Sequence, residues 1–306
     1  MATPIRVASI GECMVELRDR SEGLSRSFGG DTLNTAVYLS RLGVEVGYLT
    51  ALGDDPYSAE MLAAWRAEGV GVDDVATLPG RLPGLYAIKT DKAGERSFFY
   101  WRSAAAARDM LKGEAGDRIE AAILASGLTY LSGITLSILD ADSRDRLNAA
   151  LDRLRDTGGR VVFDGNYRPR NWPDQPTARK AVEAVLARVD IALPTYEDEQ
   201  ALFGDASPAD TIERISGFGV GEIAVKCGQK PALVAAGARQ WVVAPRPVSD
   251  VVDTTAAGDA FNAGYLAARL SGETPDAAAA RGHEMAGAVI RHPGAIIPRD
   301  AMPRLG

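Results

Sequence analysis

The sequence predicts an α/β protein: a central, mostly parallel sheet flanked by helices, with a small β-sheet appendage. Three observations lead there. Short apolar runs alternate with amphipathic stretches along most of the 306 residues. One aromatic-rich segment breaks that rhythm with two adjacent strands. Near the C-terminus an apolar pair, Val251-Val252, passes through a turn of small residues into a long helix.

The apolar runs at 7–10, 46–52, 128–131, 160–163, 191–193 and 222–225 read as strands. The stretches 32–42, 58–68, 118–125, 141–155, 177–187, 209–216, 258–270 and 275–291 read as helices. Such alternation argues βαβ units and a parallel sheet, in which ligands bind beyond the strand C-termini. Residues 85–90 and 96–102 read as two strands joined by a loop at 91–95. Strand period two puts Phe98, Tyr100 and Arg102 on one face, and Phe99 and Trp101 on the other. Residues 13–17 can pair with this hairpin, making a small sheet over the main one; a plain edge hairpin is the alternative. The expected division is a core of residues 1–10, 32–80 and 104–306, with 11–31 and 81–103 forming the appendage.

Hydrophobic residues make up 46% of the chain and charged residues 25%, an ordinary globular balance. The net charge of −7 argues against nucleic acid as a partner, so an anionic substrate must be drawn by local arginines. No apolar run reaches the roughly 18 residues of a membrane span, and no signal-peptide core is visible. A cytoplasmic protein without membrane partners is expected. Cys13 and Cys227 have neither a redox nor a zinc spacing and read as buried thiols in a reducing compartment. His283-Glu284 lacks the second histidine of a zinc helix.

The chemistry concentrates in Asp253-Thr254-Thr255-Ala256-Ala257-Gly258-Asp259. Small residues leave the amides at the helix start uncovered, and with the helix dipole these make an anion site. Asp259, in the first turn, can take a proton from a hydroxyl while Ala256, Ala257 and Gly258 hold a phosphoryl group. Acidic capping explains one aspartate, but not Asp253, the small-residue run and Asp259 together. The chain has no Gly-Lys-Ser/Thr phosphate loop and no Gly-x-Gly-x-x-Gly, so the common nucleotide loops are excluded.

Gly29-Gly30-Asp31 precedes another helix. Paired glycines let backbone approach a ligand. Asp31 can cap that helix or bind sugar hydroxyls, and Asn34 lies one turn in. Arg168 follows the strand at 160–163, where α/β sites are built, and Arg102 is a second cation available to a carboxylate. Thr195 and Asp198 follow another strand. Asp198 can hold Mg²⁺ through water. Lys226 and Gly228 end the strand at 222–225, where backbone can near a nucleotide.

Taken together, these words resemble the ribokinase-like (PfkB) carbohydrate kinases over essentially the whole chain. Gly29-Gly30 with Asn34 matches that family's N-terminal element. Asp253 to Asp259 matches its Asp-Thr-x-Gly-Ala-Gly-Asp, with Ala256 in place of the first glycine. The family's Asn-x-x-Glu appears as Thr195-x-x-Asp198, a double departure. Gly11-Glu12-Cys13-Met14-Val15-Glu16, Pro79-Gly80-Arg81-Leu82-Pro83-Gly84-Leu85-Tyr86 and Ser97-Phe98-Phe99-Tyr100-Trp101-Arg102 look most like the family's sugar-acid branch.

That resemblance implies a ribokinase-like fold and ATP-dependent phosphorylation of 2-keto-3-deoxygluconate to 2-keto-3-deoxy-6-phosphogluconate. It implies ATP and Mg²⁺ as cofactors and admits a monovalent cation. The appendage becomes a lid. Gly30, Asp31, Asn34, Tyr86, Tyr100, Arg102, Arg168 and Asp259 would line the sugar-acid site. Thr195, Lys226, Gly228, Ala257 and Gly258 would serve the nucleotide. The apolar face of Phe99 and Trp101 would join lids in a homo-oligomer. Two alternatives stay open: a fructokinase or ribokinase acting on a neutral sugar, and a catalytically silent sensor that kept the fold.

Overall fold

The computed structural model describes residues 6–20, 23–90 and 96–303. The chain opens with β1 (Val7–Ile10), β2 (Met14–Arg20) and β3 (Gly23–Gly29), then α1 (Asp31–Arg41). β4 (Val46–Leu49), β5 (Ala51–Leu52), α2 (Pro56–Ala67) and β6 (Ala76–Thr77) follow. Next come β7 (Leu85–Thr90), β8 (Arg96–Trp101), α3 (Gly113–Leu124), β9 (Leu128–Ser132), α4 (Gly133–Ile138) and α5 (Ala141–Asp156). The second half holds β10 (Arg160–Asp164), α6 (Gln175–Leu186), β11 (Ile191–Ala192), α7 (Tyr196–Phe203) and α8 (Pro208–Ser216). It ends with β12 (Glu222–Cys227), β13 (Lys230–Ala236), β14 (Arg239–Val243), α9 (Ala257–Leu270) and α10 (Pro275–Val289).

Eight of the described strands form one sheet in the order β14-β13-β12-β11-β10-β9-β1-β4. The pairs from β4 to β12 are parallel; β12-β13 and β13-β14 are antiparallel. Period two divides the buried side chains between two cores. On β10, Val161 and Phe163 face the layer of α3, α5, α6 and α8, and Val162 faces α1, α9 and α10. The stretch 46–52 is two strands rather than one. It bends at Thr50, so that Ala51 and Leu52 pair with Ala76 and Thr77 in a separate ribbon. The helix expected at 118–125 begins earlier, at Gly113, and the one expected at 275–291 ends at Val289.

Four described strands form a second sheet in the order β3-β2-β7-β8. β7 and β8 are the expected hairpin, and residues 13–17 fall mostly in β2, which pairs with β7 in parallel. The loop expected at 91–95 lies outside the described residues. Phe98, Tyr100 and Tyr86 stack in a row, with ring centroids 6.5 and 5.8 Å apart. Trp101 and Phe99 stand on the other face, 63% and 50% exposed. No helix among the described residues is long and apolar enough to cross a membrane.

Candidate active site

A cavity of about 380 Å³ lies between the two sheets, beyond the C-terminal ends of β9, β10 and β11. Its floor is the Thr254–Asp259 turn and the start of α1, and its roof carries Met14, Tyr86, Phe98 and Tyr100. Gly30, Asp31, Asn34, Arg168, Thr195, Asp198, Ala256, Ala257, Gly258 and Asp259 all line it. Arg102, Lys226 and Gly228 do not.

α9 begins without a side-chain cap, and its N-cap Ala256 sits in the left-handed region at φ 61°. The geometry suits glycine, and the alanine methyl costs about 1–2 kcal/mol there. The Ala257 amide donates to the Thr254 carbonyl at 3.2 Å, so it is turned into the loop. Gly258 and Asp259 lie in the first turn, where the helix provides no acceptor. A Cβ on Gly258 would stand 3.7 Å from the Lys226 ammonium. That ammonium is buried and donates to Asp164 Oδ2 and Asn262 Oδ1, both at 2.9 Å. Lys226 therefore contributes its charge from behind the helix start.

Asp259 is 8% exposed and accepts a hydrogen bond from Asn34 Nδ2 at 2.8 Å. Burial pushes its carboxyl up to about 7, and nearby Asp31 adds to the rise, against the Asn34 hydrogen bond. A general base works best when its pKa lies near the operating pH. Burial also raises Asp31, whose Oδ2 accepts from Asn166 Nδ2 at 2.7 Å. If Asp259 is the base, kcat/KM should climb as pH rises through about 7, and a flat profile from pH 5.5 to 8 would exclude it.

Gly29 and Gly30 are explained by crowding. A Cβ on Gly29 would meet the Tyr86 hydroxyl at 2.3 Å, and one on Gly30 the Glu12 carbonyl at 2.1 Å. The glycines let α1 start directly under the second sheet. The Tyr86 hydroxyl donates to Glu16, and burial raises its pKa.

Arg168 and Asp198 meet each other: Nη1 lies 3.0 and 3.1 Å from the two carboxylate oxygens. Arg168 is half exposed at the cavity mouth. Thr195 N-caps α7 through its backbone only, without a side-chain cap. Arg102 pairs with Glu12, which is 2% exposed, and faces a neighbouring hollow on the outer side of the second sheet. Gly228, at φ 59°, makes the turn between β12 and β13. Sequence reasoning assigned no role to Asp164 or Asn166, which also line the cavity. Their place after an apolar strand was the available signal.

An uncapped helix start, a buried carboxylate of raised pKa and a cavity roofed by the second sheet fit a phosphotransferase acting on a small hydroxyl compound. The chain belongs to the pfkB family of carbohydrate kinases, whose model matches residues 5–302. It is 47% identical to the 2-dehydro-3-deoxygluconokinase of Dickeya dadantii, over 98% of this chain and 99% of that protein. Its fold matches the 2-dehydro-3-deoxygluconokinase of Thermotoga maritima with a TM-score of 0.85 at 20% identity, covering 96% and 95% of the two chains. It also matches an Escherichia coli protein described as a ribokinase II, solved with ATP and Mg²⁺. There the TM-score is 0.83 at 22% identity, covering 98% and 96%.

Proposed function

We propose that this carbohydrate kinase transfers the terminal phosphoryl group of ATP to the 6-hydroxyl of 2-keto-3-deoxygluconate. The observation that carries the reading is Asp259, buried beside the uncapped start of α9 on the floor of a sugar-sized cavity. The full-length similarity to a 2-dehydro-3-deoxygluconokinase supports the same sugar acid under its other name.

The residues present fit Mg²⁺ and ATP. Asp164 Oδ1 is buried in the cavity wall without a hydrogen-bond partner among the described residues, and Asp198 lies beside it. These two carboxylates would hold the metal through water. The Gly258 amide and the α9 dipole would receive the phosphates. When bound, Mg²⁺ and ATP supply the phosphoryl group and neutralise its charge. Asp259 takes the proton of the acceptor hydroxyl onto a carboxylate oxygen, and Asn34 fixes that carboxylate's direction. Arg168 exchanges Asp198 for the sugar carboxylate. The second sheet acts as a lid, with Tyr86, Phe98 and Tyr100 keeping water from the acceptor.

Coupled ADP release with 2-keto-3-deoxygluconate, fructose and ribose tests the assignment. Preference for either neutral sugar would refute it, and no turnover on any of the three would favour a sensor. Arg168→Ala should raise KM for the sugar acid about 10–100-fold and leave KM for ATP nearly unchanged. A rise in the ATP constant alone would move Arg168 to the nucleotide.

The outer face of the second sheet supports a homo-oligomer. Phe99, Trp101, Leu24 and Leu82 are 50–67% exposed there, beside a hollow of about 750 Å³. A thin sheet with large apolar side chains left this exposed gains by pairing that face with a second copy. Trp101→Glu should then shift sedimentation toward the monomer. A wild-type chain that is monomeric and fully active at micromolar concentration would overturn this.

A further inference from the structure

We propose that Arg18 clamps the four-stranded sheet onto the catalytic turn, and so keeps ATP cleavage coupled to transfer. This rests on the reading of that sheet as a lid. Arg18 lies on β2, and strand period two puts it on the face of Met14 and Glu16, toward the cavity. Its guanidinium stands between two carboxylates: Glu16 Oε1 at 3.4 Å on its own strand, and Asp253 Oδ2 at 3.5 Å on the turn before α9. The side chains are 12%, 8% and 6% exposed, so solvent screens the attraction far less than at an open surface.

Each carboxylate is tied to a cavity wall. Glu16 accepts from the hydroxyls of Tyr86 and Ser27. Asp253 accepts from the Thr255 amide at 2.9 Å and its hydroxyl at 2.6 Å, and from the Gly294 amide at 3.0 Å. A continuous polar line thus runs from Tyr86 in the roof through Glu16, Arg18 and Asp253 to Thr255 in the floor. Arg18 itself does not line the cavity, which makes it a positioning residue. Its Nε and Nη2 have no hydrogen-bond partner among the described residues, so the link to the carboxylates is electrostatic and either contact can shorten.

Without the positive charge, Glu16 and Asp253 become two like charges facing each other across the seam. The sheet then sits less firmly on the turn, and water reaches the phosphoryl group in place of the sugar hydroxyl. Arg18→Gln removes the charge at similar size, and Arg18→Lys keeps it. The measurement is the ratio of ADP released to phosphorylated sugar formed, together with KM for the sugar acid, on the full chain. In Arg18→Gln the ratio should rise clearly above that of wild type, and KM should rise about tenfold, the size of one buried charge contact. Arg18→Lys should restore most of the coupling, which a loss of packing alone would not predict. If Arg18→Gln is poorly folded, the Lys variant decides: a ratio and KM equal to wild type agree with the clamp, and uncoupling despite the retained charge overturns it. A well-folded Arg18→Gln with wild-type ratio and KM also overturns it. Wild-type turnover of the sugar acid is a separate readout of the function itself, and the ratio reads equally on fructose should that be the acceptor.

Discussion

Asp259→Asn should lower kcat by about 10²–10⁴-fold while ATP still binds, because it removes the base and keeps shape and the hydrogen bond from Asn34. The same change should raise stability at alkaline pH. Asp259 has its folded pKa pushed up to about 7, above the ordinary carboxylate value, so the folded state holds its proton more tightly than the unfolded chain. The carboxylate therefore favours the fold while protonated, and that advantage is lost as pH rises through about 7. Asparagine cannot ionise. The variant should melt higher than wild type at pH 8, with the gap narrowing toward pH 5. Near-normal kcat in Asp259→Asn would remove this residue from the mechanism. A lower melting temperature at pH 8 would refute the electrostatic account of the site.

Arg102→Ala should unfold the protein more readily, rather than only weaken substrate binding. Its guanidinium answers Glu12, whose Oε1 already lacks a hydrogen-bond partner among the described residues. Removing one member of a buried pair leaves the other uncompensated and costs about 3–5 kcal/mol. Burial already raises the Glu12 pKa, and losing Arg102 raises it further. The damage is therefore greatest above the ordinary glutamate range and eases as acid protonates Glu12. Urea melts at pH 5 and pH 8 measure this. A variant with wild-type stability at both pH values and a raised KM for the sugar acid would return Arg102 to the substrate.

Much of the core was legible because its strands are apolar on both faces and its helices on one. The strands at 7–10, 128–131, 160–163 and 222–225 carry little else. β3 and β14 were missed for the opposite reason. Gly23–Gly29 is mostly exposed, and β14 shows Arg239, Gln240 and Val242 to solvent, so neither leaves an apolar alternation to find. Of the site, the turn holding Asp259 could be read because its residues are neighbours in the chain. The pairs Glu12–Arg102 and Arg168–Asp198 could not. Their members stand 90 and 30 residues apart, and a free arginine and a paired one look alike in sequence. Lys226 is a similar case. Its place at a strand end suggested contact with a nucleotide, whereas the fold turns its ammonium inward to Asp164.

The left-handed Ala256 also bears on how the anion cradle is ordered. A glycine there would reach the same conformation without strain but would leave the unfolded chain with more freedom to lose. Alanine reverses that exchange: strain is held in the native state, and fewer backbone states compete with it. The packing of α9 against α10 and the main sheet, where Phe261, Ala263 and Leu266 are fully enclosed, can hold the turn against that strain. The phosphate cradle is then set when the protein folds, so little of the binding energy of a nucleotide is spent on ordering it.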